Sequence, residues 1–322
     1  MTRSLEDRRI RQLRPAKSPL DAWRPIGVHW EEERSAEGEL VPCLTIFLTG
    51  QECPFTCVFC DLWQYTLDGP TPPGALPAQI ERALEEFGET SDGTTVKLYN
   101  ASNFFDDKAV PFADWPAIAD LLRPFSRVVV ECHPRLVSSR CADFSRHLEG
   151  RLEVAMGLET IHPVALTRLN KKLTLDSFDR AASILQAAGI GIRSFVLVGA
   201  PFVPEAEAVD WAVQSVDYAL QRGSKVVSLI PVRSGNGEMQ RLAGIGVLCP
   251  PTVRQLEEAL DGALRLNRGV VLADLWDAEG LAGCSECRIA RIERMDLLNR
   301  SGGDQPPVTC QVCEEVDQPD ER

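Results

Sequence analysis

The stretch LVPCLTIFLTGQECPFTCVFCDLW spans Leu40–Trp63. Its first half, Leu40–Gly50, is apolar and β-branched and predicts a buried strand. Its second half places three cysteines, Cys53, Cys57 and Cys60, within eight residues, with Phe55, Phe59 and Trp63 among them. Three thiols are too many for one disulfide and one short of a closed tetrahedral metal site.

Outward from this stretch the chain alternates. Helical periodicity covers Ala78–Phe87 and stops at Gly88. Strands are predicted at Thr95–Ser102, Arg127–Pro134, Leu152–Thr160, Ile192–Pro201, Lys225–Arg233 and Gly269–Trp276. Helices are predicted between them at Trp115–Leu122, Leu175–Ala188, Glu205–Gln221 and Thr252–Leu266. Short apolar strands alternating with amphipathic helices mean βα units and a parallel sheet. The expected fold is α/β: a partial (β/α)6 TIM-type barrel with a Cys-rich C-terminal extension. An open doubly wound sheet is the alternative, but no glycine-rich phosphate fingerprint follows the first strand. Barrels carry their chemistry on loops after strand C-termini, where the triplet lies. The expected division is a basic arm over 1–37, a barrel over 38–235 and an extension over 236–322.

The chain has 322 residues, 44% of them apolar and 25% charged, which suits one globular unit. A net charge of −13 argues against a broad nucleic-acid surface. Residues 1–30 run the other way, with seven basic residues (Arg3, Arg8, Arg9, Arg11, Arg14, Lys17, Arg24) against three acids. A charge run of this kind reads as a solvated, partly disordered arm rather than a phosphate- or partner-binding one. No apolar leader opens the chain and no run reaches membrane-spanning length, so a cytoplasmic protein is expected. In that compartment eleven cysteines read as metal ligands or buried thiols.

Thiolates ligate iron–sulfur clusters and zinc. A four-iron cubane held by three cysteines leaves one iron open, the mark of a catalytic rather than a structural centre. Phe55, Phe59 and Trp63 can shield such a cluster. A zinc completed by a distant ligand, or thiols buried together by chance, is the competing reading.

Cys53-x3-Cys57-x2-Cys60, with Phe59 before the last cysteine, resembles the signature of radical S-adenosylmethionine (SAM) enzymes. The resemblance runs from about Leu40 to Arg233. It implies a [4Fe-4S] cluster whose open iron is filled by the amino and carboxylate groups of SAM. It further implies reductive cleavage to a 5′-deoxyadenosyl radical, fed by a flavodoxin- or ferredoxin-type reductant. Val96–Asp107 sits where the family has its Gly-Gly-Glu segment, so Asn100, Ser102 and Asn103 are implied at the SAM amino group, with no acid at the third position. Glu159 of GLET (Gly157–Thr160) is implied at the ribose or amino group. Lys171 is implied at the carboxylate; a solvated helix-start charge is its plainer reading. Gly199 is implied to let the backbone approach the ligand, and Ile230 of LIPVR (Leu229–Arg233) to lie against adenine.

Within the superfamily the segments are most similar to the elongator-catalytic-subunit branch, and especially to archaeosine-forming lyases of tRNA. Those relatives tend to show Glu-x-Arg-Pro after the third strand. Here the residues are Glu131-Cys132-His133-Pro134, a departure that bears on the substrate more than on the cofactor. The acidic charge balance likewise disfavours RNA as the substrate.

The tail holds Cys284-x2-Cys287 and Cys310-x2-Cys313. Four thiolates in two knuckles suit a structural zinc, which we favour, or a second, fully ligated cluster. Cys43, Cys132, Cys141 and Cys249 read as packed thiols, and His29, His133, His147 and His162 are too dispersed for a metal. Two function classes follow. One is a radical SAM enzyme acting on a modified nucleoside in RNA or a related small molecule. The other is a non-catalytic iron–sulfur or zinc protein for electron transfer or binding.

Overall fold

The computed structural model describes residues 5–88, 93–233 and 236–313. Eight strands form one sheet in sequence order: β1 (Gly27–Arg34), β2 (Leu40–Phe47), β3 (Thr95–Tyr99), β4 (Arg127–Glu131), β5 (Arg151–Glu159), β6 (Gly191–Val198), β7 (Val226–Pro231) and β8 (Val270–Ala273). β1 pairs antiparallel with β2, and every later pair is parallel. The helices are α1 (Leu5–Gln12), α2 (Ala75–Phe87), α3 (Trp115–Leu121), α4 (Ser139–Ser145), α5 (Pro163–Arg168), α6 (Leu175–Ala187), α7 (Ala208–Gln221), α8 (Gly237–Gly244), α9 (Val253–Leu264) and α10 (Arg288–Ser301). The sheet curls into a partial barrel with the Cys-rich segment appended, as the alternation of the sequence required.

The alternation within strands separates two faces. Leu44, Ile46, Val96, Leu98, Val128, Val130, Val154, Met156, Val227 and Leu229 pack outward with helix residues such as Ile80, Ile118, Phe178, Val216 and Leu260 in one core. Each such side chain contributes about 1.5–3 kcal/mol by burial.

The inward positions hold ions instead. Glu33 of β1 meets Arg193 of β6 at 2.8 Å and Lys97 of β3 at 2.6 Å. Glu153 of β5, fully buried, meets Arg193 at 2.8 Å and Arg127 of β4 at 3.0 Å. Burial pushes the Glu33 carboxyl up, but Arg193 and Lys97 outweigh it and hold the group down at about 2. A charged lumen floor of this kind lasts only because every member is paired.

The edges β1 and β8 do not pair with each other. Side chains bridge them. Arg34 donates to the Val271 carbonyl at 3.1 Å and to the Asn299 carbonyl of α10 at 2.8 Å. Asn299 accepts from the Ala273 amide and donates to its carbonyl, both at 2.8 Å. Edge groups that would otherwise template another strand are thereby satisfied.

Residues 5–37 are not a solvated arm. α1 buries Ile10 against Val58, Leu197, Val232 and Met239, and β1 is a full member of the sheet. Four of the arm's cations find acids of the protein itself: Arg9 with Glu238 at 3.0 Å, Arg11 and Arg14 with Glu52 at 2.8 Å, and Lys17 with Asp68 at 2.9 Å. Arg3 lies outside the described residues. At the other end β8, which the sequence division places in the extension, continues the barrel sheet.

Candidate active site

The triplet loop leaves β2 at the C-terminal end of the sheet. All eleven cysteines are unbridged. Burial raises the Cys53, Cys57 and Cys60 thiols, Cys60 to about 12. Thiols so desolvated ionise when a metal takes the proton's place.

The loop is held from four directions. Asp7 of α1 accepts from Thr56 Oγ1 at 2.5 Å. Asn170 donates to the Thr56 carbonyl at 2.7 Å, and the Val58 amide donates to the Leu169 carbonyl at 3.0 Å. Asn236, the N-cap of α8, donates to the carbonyls of Val58 at 3.0 Å and Cys60 at 2.9 Å. Asn103 Nδ2 donates to the Cys53 sulfur at 3.2 Å. Trp63, 6% exposed, lies under the Arg14 guanidinium at 4.8 Å.

Asn103 is occupied on both sides, since its Oδ1 accepts the His133 amide at 2.6 Å. It ties Cys53 to the end of β4. Asn100 differs. It is fully buried, its Oδ1 accepts the Ser102 amide at 3.3 Å, and its Nδ2 has no partner. The Ser102 hydroxyl is also buried without a partner. Orphaned polar groups are costly unless a ligand satisfies them. Glu131, at the end of β4, accepts the Asn100 amide at 3.0 Å. Burial lifts its pKa to about 7 against the pull of the Asn100 and Ala101 amides.

Lys171 is buried, with Nζ 2.5 Å from Glu159 Oε1. Burial lowers its pKa, but Glu159 and the nearby Cys57 carry the net shift upward, so the ammonium form is held. It is not a solvated charge. A Cβ on Gly157 would strike both partners, so the glycine makes room for the pair. Lys171 also lies 6.0 Å from the centre of the Phe59 ring. Ala101, Glu159, Asn170 and Lys172 all adopt left-handed φ, between 52° and 67°. Such strain in non-glycine residues gathers at functional sites.

His133 follows β4. Its ring stacks on Phe55 at 3.8 Å and 17°. Nδ1 accepts the Arg135 amide at 3.1 Å, so Nε2 carries the proton it gives the Lys171 carbonyl at 2.9 Å. Burial lowers its pKa to about 3. His133 is therefore a neutral brace between the triplet loop and the lysine. The space over Gly199, at φ +74°, is taken by Pro251 and the Cys249 carbonyl, at 2.8 and 3.2 Å from a built Cβ. That packing and the positive φ both call for glycine. Ile230 is half-buried in the apolar cluster that also includes Phe59 and Leu197.

Above the ionic floor the lumen is aromatic and half-exposed. Phe47 lies 6.4 Å from both Tyr99 and Trp276, and Tyr99 lies 6.3 Å from Phe195. Arg233 donates to Asp274 at 3.1 Å on the same rim.

The four tail cysteines converge, their sulfurs all within 4.8 Å of one another. Cys284 and Cys310 are 3.8 Å apart, Cys287 and Cys313 3.7 Å. Tetrahedral Zn–S bonds of about 2.3 Å put sulfurs about 3.8 Å apart. The amides of Glu286 and Cys287 stabilise the Cys284 thiolate and lower its pKa to about 7. Arg291 Nε donates to Cys287 Sγ at 3.2 Å.

No protein-family model matches the chain. An uncharacterized protein of Methanocaldococcus jannaschii is 23% identical over 91% of this chain and 86% of its own length. Archaeosine synthase subunit beta of Methanosarcina acetivorans is 24% identical over 77% of this chain and 75% of its own. Among solved structures, the archaeal Elp3 of Methanocaldococcus infernus aligns with a TM-score of 0.51 at 14% identity, covering 69% of this chain. This chain spans 57% of that structure's length, and the likeness is one of fold. Among the described residues no helix is long and apolar enough to cross a membrane. With a partial barrel of this kind, and with a triplet loop where it stands, the chain resembles the radical SAM superfamily, on its Elp3-like and archaeosine-related side.

Proposed function

We propose that the chain is a radical SAM enzyme. The observation that carries this reading is three unbridged, partly buried thiols on one loop, tied through Asn103 to a turn that holds two orphaned polar groups, Asn100 Nδ2 and Ser102 Oγ. Cys53, Cys57 and Cys60 would hold a [4Fe-4S] cluster, with SAM at its open iron. Bound and reduced, that centre supplies a 5′-deoxyadenosyl radical that abstracts a substrate hydrogen. The chain's own residues do the rest. Asn103 orients Cys53, Asn236 and Asn170 fix the loop, and Lys171 presents a cation that Glu159 keeps charged. The aromatic lumen of Phe47, Tyr99, Phe195 and Trp276 would receive a substrate moiety and limit water around the radical.

The substrate class we propose is a modified nucleoside of RNA or a related small molecule. The likeness to archaeosine synthase subunit beta lends support to the nucleoside. The arm gives RNA little help, because Arg9, Arg11, Arg14 and Lys17 are engaged internally. A flavodoxin- or ferredoxin-type protein would supply the electron. For the tail we propose a structural zinc.

The test is anaerobic reconstitution, dithionite reduction and chromatography for 5′-deoxyadenosine. Formation by the wild type and loss in Cys57→Ala would support the reading. About four irons per chain with no nucleoside would favour an electron-transfer or binding protein.

A further inference from the structure

The polar contacts of residues 7–17 gather around one loop. Asp7 accepts from Thr56 Oγ1 at 2.5 Å and from Asn170 Nδ2 at 2.8 Å, and lies 3.9 Å from Lys172 Nζ. Thr56 stands between Cys53 and Cys57, and Asn170 precedes Lys171. One carboxylate therefore joins the triplet loop to the lysine turn. Arg11 and Arg14 both take Glu52, the residue before Cys53, and the Arg14 guanidinium covers Trp63. Lys17 donates to the Thr66 carbonyl at 2.8 Å and pairs with Asp68. Arg9 reaches Glu238 of α8, the helix whose N-cap, Asn236, holds the Val58 and Cys60 carbonyls. These contacts land on residues 52–68 or on elements that clamp them.

The segment is held by charge more than by burial. Ile10 is its one buried residue among 5–17, while Leu5 and Leu13 are exposed. Ion pairs at a surface weaken as salt screens them, whereas apolar packing does not. A segment with a single apolar anchor opens at a lower free energy than the sheet beneath it. Its opening frees Glu52, Thr56 and Asn170 together, and with them the loop between the three cysteines. We infer that residues 5–17 are an ionic latch on the triplet loop, which retains the centre held by Cys53, Cys57 and Cys60 and releases it as the ion pairs are screened. This rests on the proposed function only in taking that centre to be an iron–sulfur cluster. The coupling is reciprocal, so a latch that retains the cluster is itself tightened by it.

Cluster-loaded protein is mixed anaerobically with excess ferrous chelator, and iron release is followed at about 0.05 M and about 1 M KCl, which shortens the screening length severalfold. The phase that counts is the one absent in Cys57→Ala. Wild-type release should be about tenfold faster at the higher salt. Arg11→Gln with Arg14→Gln should release iron about fivefold to tenfold faster than wild type at low salt and lose most of the salt response. Adding Glu52→Gln should change that double variant by less than about twofold, because its partners are gone. Arg254→Gln, which breaks an exposed pair with Glu258 on α9, should match wild type. A wild-type rate that moves less than about twofold with salt, or a double variant within about twofold of wild type, overturns the latch.

Hydrogen exchange supplies a second arm. The Leu13 amide, bonded to the Arg9 carbonyl, and the Val58 amide, bonded to the Leu169 carbonyl, should exchange faster at high salt and slower once the cluster is loaded. The Val130 amide of β4 should respond to neither. If the double variant takes up no iron, exchange in the wild type decides, and a Val58 amide indifferent to salt overturns the latch. If the wild type takes up no iron at the triplet, the radical SAM reading is what fails, and the salt response of Leu13 and Val58 in the metal-free chain decides the latch alone.

Discussion

Asn103 donates its side-chain N–H to the Cys53 sulfur at 3.2 Å while its carbonyl oxygen holds the His133 amide at 2.6 Å. One side chain thus couples the first cysteine of the triplet to the end of β4. Hydrogen bonds to cluster sulfurs raise a cluster's reduction potential. Asn103→Ala should therefore lower the midpoint potential of the bound cluster in an EPR-monitored titration, and cost about 1–2 kcal/mol in urea melts through the stranded His133 amide. A potential unchanged from wild type would remove Asn103 from the cluster's surroundings.

The buried Lys171–Glu159 pair makes a second prediction. Removing one partner strands the other charge away from water. Lys171→Met should cost about 3–5 kcal/mol. Lys171→Met with Glu159→Gln should cost less than Lys171→Met alone, because no unpaired ion remains. Additive losses in a double-mutant cycle by urea denaturation would mean that the two do not act as a pair. Gly157→Ala should resemble the worst single variant, since its methyl group enters the space of both partners.

How much of this was legible beforehand follows from what each face of an element touches. The parallel strands were readable because their outward faces are apolar without a break, as in Val128 and Val130 or Val154 and Met156. β1 was not. Its inward positions, His29, Glu31 and Glu33, face a charged lumen, so GVHWEEER reads as polar loop. α10 was missed for the same reason: it buries Arg291 and Arg294 at 9% and 8% exposure while Ile289 and Leu297 are exposed. Those arginines meet Glu257 and Asp261 of α9, a pairing that no single-segment periodicity reveals. In the site, the triplet was legible from spacing. Asn236 and Asn170 were not, because their work is to hold backbone carbonyls from distant loops.

The lumen floor gives a pH prediction. Glu33 sits near 2 when folded, against an ordinary carboxyl near 4.5 when unfolded. The unfolded chain binds the proton more readily, so the stability from this group is present above about pH 4.5 and is lost as pH falls toward 2. Its size is about 3 kcal/mol. Urea melts of wild type and Glu33→Gln should differ most at pH 6–7 and converge as pH falls from 5 toward 2. A gap that is constant across that range would mean that Glu33 is not ionised against Arg193 and Lys97.

The tail thiols give the last prediction. Their convergence within 4.8 Å matches a single tetrahedral ion, and a cubane spreads its ligands more widely. The reconstituted protein should carry one zinc in addition to the triplet's iron, and Cys284→Ser with Cys287→Ser should remove the zinc and leave the iron. Because Cys287 caps α10 and Arg291 links its sulfur to Glu257, loss of the metal should also loosen α10. α10 in turn holds the β1–β8 seam through Asn299. Hydrogen exchange should therefore rise at the Ala273 amide as well as around Cys287 when zinc is chelated. Exchange that rises only at the knuckles would confine the metal's role to the tail. Iron near eight per chain, falling to four in the double variant, would make the tail a second cluster instead.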